Sequence, residues 1–141
     1  MRYVKEGLKW LLGAFFILAG INHFVDPEFY LRLMPDYISA GLHSPAVLWS
    51  GVAEVLLGAL LLIPRTSRWA AWGIIALLIA VFPANIYGWQ HSEEIFGISK
   101  EKHFIRLPLQ AVLIAWAWWY TRPNVESAKP LPSSEAVPSK A

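Results

Sequence analysis

The sequence predicts an all-α integral membrane protein, a four-helix bundle with a short interfacial helix between its first two spans. Hydrophobic residues make up 56% of the 141 residues and charged residues only 16%, which is too apolar for an ordinary soluble domain. Four apolar runs also approach the roughly 20 residues that a helix needs to cross a bilayer core about 30 Å thick. The predicted spans are residues 8–25, 46–63, 69–89 and 104–120.

The first span carries small residues where a second helix can approach closely, namely Gly13, Ala19 and Gly20. No cleavage site follows this run, so we expect a retained anchor rather than a secretory signal. Residues 26–28 read Asp-Pro-Glu, which is typical of a helix start with an aspartate cap and proline in the first turn. A short amphipathic helix in the membrane interface is therefore predicted before Pro35.

The second span holds a carboxylate, Glu54, near its middle. An ionisable group at that depth costs at least a few kcal/mol unless it is paired or protonated. At helical spacing it shares one face with small and apolar residues, which are Val47, Ser50, Gly51, Leu57, Gly58 and Leu61. This face is predicted to point inward, because lipid contact would leave Glu54 unpaired.

The third and fourth spans add polar groups near one end of the bundle. Pro83 lacks an amide hydrogen, so the carbonyl of Ile79 is expected to be free to accept a hydrogen bond. Arg106 and Gln110 are four residues apart and share a helix face. With Asn85 at the end of the third span, these residues are predicted to meet Glu54 at one depth.

The distribution of Lys and Arg predicts both termini on the cytoplasmic side of a bacterial inner membrane. In that arrangement eight Lys and Arg residues lie inside and four outside, as the positive-inside rule requires. Residues 1–121 then form a single membrane domain. Residues 122–141 are rich in proline, serine and charge, and we predict a disordered cytoplasmic tail.

The polar residues predict a binding cavity for the head group of an amphipathic molecule such as a quinone or a lipid, with the tail along the spans. Its candidate residues are Asn22, His23, Glu54, Asn85, Arg106 and Gln110. Two alternatives stay open. In one, Glu54 and Arg106 form a buried pair that only fixes helix packing in a structural or assembly subunit. In the other, Glu54 and His23 are the acid and base of a lipid-acting enzyme or carrier.

Several kinds of chemistry have no basis in this sequence. It contains no cysteine, so it supplies neither a thiolate nucleophile nor a cysteine-ligated cluster. The four histidines are not spaced for a shared metal or haem. No basic cluster interleaved with aromatics indicates nucleic-acid binding. Membrane lipids are the partners that remain, and any redox electron would have to travel through a bound cofactor or a partner.

Six short blocks together resemble the DoxX family of small four-helix bacterial membrane proteins. They are GINHF at 20–24, PEFY at 27–30, GVAE at 51–54, LIPR at 62–65, FPANIY at 82–87 and RLPLQ at 106–110. The resemblance covers residues 8–121 and implies a four-span fold. Some DoxX proteins are described as quinone-facing subunits of membrane redox complexes, which implies a redox-associated role here. The resemblance assigns no catalytic residue.

Overall fold

The structure of the protein, a computed structural model, describes residues 1–122. Their regular structure is entirely helical, and the seven helices are α1 (Arg2–Val25), α2 (Pro27–Arg32), α3 (Ala40–Leu62), α4 (Ser67–Gln90), α5 (Ser92–Phe96), α6 (Lys100–Phe104) and α7 (Arg106–Trp119). The all-α prediction is confirmed over this part of the chain. The predicted disordered tail lies, apart from Arg122, outside the described residues.

Three helices, α1, α3 and α4, are long and apolar enough to cross a membrane. The buried share of their most apolar stretches is 33%, 22% and 28%. Most of these apolar residues therefore face outward, as they would in contact with lipid tails.

The fourth predicted span, 104–120, is divided in the structure. Helix α6 ends at Phe104, and α7 has 14 residues, so α7 is only about 21 Å long. Pro108 accounts for the division, because it has no amide hydrogen to donate to the carbonyl of Phe104, four residues earlier.

The backbones of α1 and α3 approach each other closely at two pairs of glycines. A Cβ atom on Gly20 would lie 2.7 Å from the carbonyl oxygen of Gly51, and one on Gly58 would lie 2.8 Å from the carbonyl oxygen of Gly13. Gly13, the earlier of the two on α1, meets Gly58, the later of the two on α3, so the two helices are antiparallel. The prediction that this face of α3 points inward is confirmed, since Val47, Gly51, Gly58 and Leu61 are buried.

The apolar core is built from all four of the longer helices. Its buried members are Leu12, Phe16, Leu61, Ala70, Ala71, Ile74, Ile75, Leu78, Ala117 and Tyr120. Helix α3 packs on α1 and α4, and α4 packs on α7. The hydroxyl of Tyr120 donates a 3.0 Å hydrogen bond to the carbonyl of Lys5, which joins the end of α7 to the start of α1.

The segment between α1 and α3 differs in part from the prediction. Asp26 caps α2 as expected, accepting a 3.3 Å hydrogen bond from the amide of Phe29. Helix α3, however, begins at Ala40 rather than at residue 46. Pro45 is tolerated there because its missing amide hydrogen leaves only the carbonyl of Gly41 unpaired, near the exposed start of the helix.

Substitution of Gly20 by alanine is expected to lower the free energy of unfolding by about 2 kcal/mol, because the added methyl group meets backbone atoms that cannot move independently. Gly7→Ala in the same helix is the control. Its Cβ would meet nothing within 4 Å, so the substitution should gain up to about 1 kcal/mol. Unfolding in mixed micelles measures both, and a Gly20→Ala protein as stable as the wild type would contradict the close-packing account.

Candidate functional site

A cavity of about 460 Å³ lies at the end of the helices opposite Tyr120. It is lined by α1, α3, α4 and α7, and by α2 with residues 33–38 that follow it. Five of the six predicted site residues line it, namely His23, Glu54, Asn85, Arg106 and Gln110. The sixth, Asn22, is exposed outside the cavity. The structure thus brings together residues from four helices that are far apart in the sequence.

His23 is the nearest cationic partner of Glu54. Its Nε2 atom lies 3.3 Å from Oε2 of Glu54, and both side chains are largely buried, at 6% and 14% exposure. The other ring nitrogen, Nδ1, lies 3.1 Å from the carbonyl oxygen of Val47. Since a carbonyl only accepts hydrogen bonds, Nδ1 carries a hydrogen.

Nε2 is therefore the ring nitrogen that faces Glu54, and a hydrogen bond between the two side chains requires a further hydrogen on Nε2 or on the carboxyl group. In addition, Oε2 of Glu54 is buried and makes no interaction with hydrogen-bond geometry among the described residues. The pair is therefore in contact without being fully satisfied, and it faces the cavity.

The glycine pairs described above position these two groups. His23 follows Gly20 by one helical turn, and Glu54 follows Gly51 by one turn. A Cβ atom on Gly51 would lie 2.7 Å from Cβ of His23. Any side chain at position 51 would thus displace the imidazole from the carboxylate.

Tyr30 is a site residue that the sequence did not reveal. Its ring stacks on the imidazole of His23 at a centroid distance of 3.6 Å, and its hydroxyl accepts a 2.9 Å hydrogen bond from Asn22. Asn22 therefore holds Tyr30 in place instead of reaching the cavity. The helix cap at Asp26 was the sequence feature that could have indicated Tyr30, because the chain turns there and α2 folds back over α1. Helical spacing alone does not predict the direction of that turn.

Arg106 does not pair with Glu54, contrary to the expectation that it would be the counter-charge. It lines the cavity half-buried, with its guanidinium carbon 5.3 Å from the centre of the Phe29 ring. Among the described residues no carboxylate lies within salt-bridge distance of it. Arg106 is thus a cation in the cavity wall without a carboxylate partner among the described residues.

Asn85 and Gln110 form a continuous hydrogen-bond chain between α4 and α7. The amide of Asn85 donates to the side-chain oxygen of Gln110 at 2.6 Å, and the amide of Gln110 donates to the carbonyl of Leu78. We expected the carbonyl freed by Pro83, that of Ile79, to serve the site. The structure corrects this, because Ile79 is absent from the cavity wall and Leu78 is present.

Two further polar groups are buried just outside the cavity. The Oγ atom of Ser92 and the Nε2 atom of His103 have no hydrogen-bond partner among the described residues, and the His103 ring stacks on Phe96. Burial lowers the pKa of His103 below its ordinary value of 6.5, and the charge of Arg106 lowers that pKa further.

Comparisons with known proteins place the chain in a family without assigning it an activity. Residues 12–121 match the family described as a domain of unknown function, DUF8561, and since this is most of the chain, the protein belongs to that family. No curated protein matches it. No solved structure matches it either.

Replacing His23 by alanine is expected to cost about 3 kcal/mol of stability, because Glu54 is left buried without its cationic neighbour. Adding Glu54→Gln removes the stranded charge and should restore at least about 1 kcal/mol of that loss. His43→Ala is the matched control, since the ring of His43 hydrogen-bonds to the carbonyl of Ile38 and not to a carboxylate. Glu54→Gln should not rescue it, and a double variant of His23 and Glu54 showing simple additivity would contradict the pairing.

The pKa of His103 predicts a pH dependence of folding. The unfolded chain takes up a proton near pH 6.5 while the folded protein resists it, so stability should fall as the pH drops from about 7.5 to about 5.5. In His103→Gln this loss should be smaller than in the wild type. Lys102→Gln, at the exposed neighbouring position, should keep the wild-type pH dependence, and an unchanged slope in His103→Gln would contradict the assignment.

Proposed function

We propose that this DUF8561 protein binds an amphipathic small molecule of the quinone class in the cavity around Glu54, as a redox-associated subunit of a bacterial inner membrane. The observation that carries the proposal is the cavity itself. Its volume of about 460 Å³ falls within the range of small-molecule sites in proteins. A few polar groups converge in it within a mainly apolar wall, which is the usual character of such sites.

The polar groups suit a head group that forms hydrogen bonds. Arg106 offers donors, and the carboxyl group of Glu54 offers an acceptor. Leaving such groups unpaired in a low-dielectric site costs free energy that a bound head group would recover. The residues present therefore fit a head group with oxygen atoms. His23 contacts Glu54 and is itself held by the stacked ring of Tyr30.

The apolar part of the cavity suits a hydrocarbon tail. Phe15 and Phe16 of α1 and Leu109 and Leu113 of α7 line it, and Phe15 and Leu109 are also exposed on the outer surface at 46% and 51%. Residues of α1 and α7 thus contribute both to the cavity wall and to the apolar outer surface. In a membrane that surface faces lipid, so a tail could extend along it without crossing water.

Four spans with both termini in the cytoplasm remain the arrangement that we propose. The end of α7 adjoins the start of α1 through Tyr120 and Lys5, so both lie at the same end of the helices as residues 63–66, the loop between α3 and α4. Helix α7 is short, but a short helix is accommodated by local thinning of the bilayer or by polar flanking residues. Helix α2 would then lie near the outer interface.

The resemblance to the DoxX family is the reason for choosing the quinone class among amphipathic molecules. A bound quinone would supply the redox chemistry, taking up or releasing electrons with protons. The residues of this chain would bind and orient the head group, with Glu54 in contact with His23 beside it. Because the chain contains no cysteine, the electrons would come from a partner subunit.

A structural role is the second candidate, and the Asn85–Gln110–Leu78 chain favours it. Both ends of the Gln110 amide have partners within the protein, so this part of the cluster is satisfied without any ligand. Hydrogen bonds of this kind hold membrane helices in register. The ligand-binding role requires the cavity, whereas the structural role does not.

Filling the cavity tests the binding proposal. Ala84 lines it, so Ala84→Trp should weaken binding of a decyl-benzoquinone to the purified protein at least about tenfold, through loss of contacts worth about 1.4 kcal/mol or more. Ala59→Trp is the control, because Ala59 lies exposed on α3 outside the cavity. Equilibrium titration in nanodiscs measures both.

The outcomes separate the two candidates. Binding that persists unchanged in Ala84→Trp contradicts this cavity as the site. Absence of saturable binding to the wild-type protein contradicts the ligand role, and a quinone or related lipid co-purifying with the wild type but not with Ala84→Trp supports it.

A further inference from the structure

The hydrogen-bond capacity left at the cavity wall is unequal in donors and acceptors. The Nδ1 hydrogen of His23 is used on the carbonyl of Val47. Both groups of the Gln110 amide are used within the protein, and Asn85 donates to Gln110. Two charged groups remain for the head group of a ligand, the guanidinium of Arg106 and the carboxyl of Glu54, and the wall also holds the hydroxyls of Ser50 and Tyr30, which can both donate and accept.

Glu54 faces the ligand as an acceptor. As a carboxylate it has only lone pairs, whether the His23 ring is neutral or charged. When a proton is on Oε2 instead, the imidazole nitrogen 3.3 Å away is an unprotonated acceptor and draws that hydrogen towards itself. Turning the hydrogen towards the cavity would set two lone pairs against each other at this distance.

Arg106 has the opposite character. A guanidinium has donors only and keeps its charge in proteins. The two free groups therefore require a head group with an acceptor for Arg106 and a hydrogen to donate to Glu54. A carbonyl oxygen meets the first requirement and fails the second, because it would face the lone pairs of Glu54.

We propose that the site selects a hydroxyl-bearing head group, so that it binds the quinol in preference to the corresponding quinone, with Glu54 as the acceptor of the hydroxyl hydrogen. This inference rests on the proposed function and narrows it. A quinol hydroxyl both donates and accepts, so one hydroxyl can donate to Glu54 while another oxygen accepts from Arg106. A quinone has only carbonyl oxygens to offer.

The test compares three probes on the purified full chain in nanodiscs under anaerobic conditions, namely decyl-benzoquinol, decyl-benzoquinone and the dimethyl ether of the quinol. A hydrogen bond to a charged group contributes on the order of tenfold to affinity. The quinol should accordingly bind about tenfold more tightly than the quinone. The ether, which keeps the ring and tail but has no hydroxyl hydrogen, should bind no better than the quinone.

Substitution at Glu54 identifies the acceptor. Glu54→Gln replaces the carboxyl with a neutral amide, and the preference for quinol should fall to about threefold or less. Glu93→Gln, an equivalent change at an exposed position on α5, should keep the full preference. The ether comparison uses the wild-type protein alone, so it tests whether the hydroxyl hydrogen is required for binding even if Glu54→Gln does not fold.

The results distinguish this inference from the function on which it rests. Equal affinity for quinol, quinone and ether would overturn the selectivity and leave quinone-class binding intact. A full preference that survives in Glu54→Gln would overturn the role of Glu54 as acceptor. If none of the three probes binds, both the inference and the proposed function fail.

Discussion

The close approach of α1 and α3 is the constraint on which the rest of the structure depends. It is possible only because glycines meet glycines, Gly20 with Gly51 and Gly13 with Gly58. In a membrane, helices gain little from the hydrophobic effect and associate through close packing and interhelical hydrogen bonds. Here the packing also positions the site, since it brings an imidazole and a carboxyl group together one helical turn after Gly20 and Gly51.

The sequence predicted the packing faces and the cluster of polar residues well, because both follow from helical spacing. Small residues on one face of a span indicated where a partner helix would lie, and Glu54 on that face indicated which way it points. Five polar residues placed near the same depth then lined one cavity. Periodicity and depth were sufficient for these conclusions.

The pairing within the cluster was not predictable in the same way. Opposite formal charge suggested Arg106 as the partner of Glu54, yet His23 occupies that position. The sequence gives the depth of a residue along a helix. The direction of its side chain around the cavity depends on how the helices are rotated about their axes. It also depends on α2, which places Tyr30 against His23. The expectation that the carbonyl of Ile79 would serve the site failed for a similar reason, since the rotation of α4 turns the carbonyl of Leu78 towards Gln110.

The apolar residues of α1 and α7 that reach both the cavity wall and the outer surface set the terms on which the proposed ligand would reach this protein. A molecule that enters there is already dissolved in the bilayer, with Phe15 and Leu109 at the threshold. Its occupancy is then governed by its mole fraction among the surrounding lipids rather than by its concentration in water. Dilution of the membrane with inert lipid would empty the site, while dilution of the aqueous suspension would leave it filled.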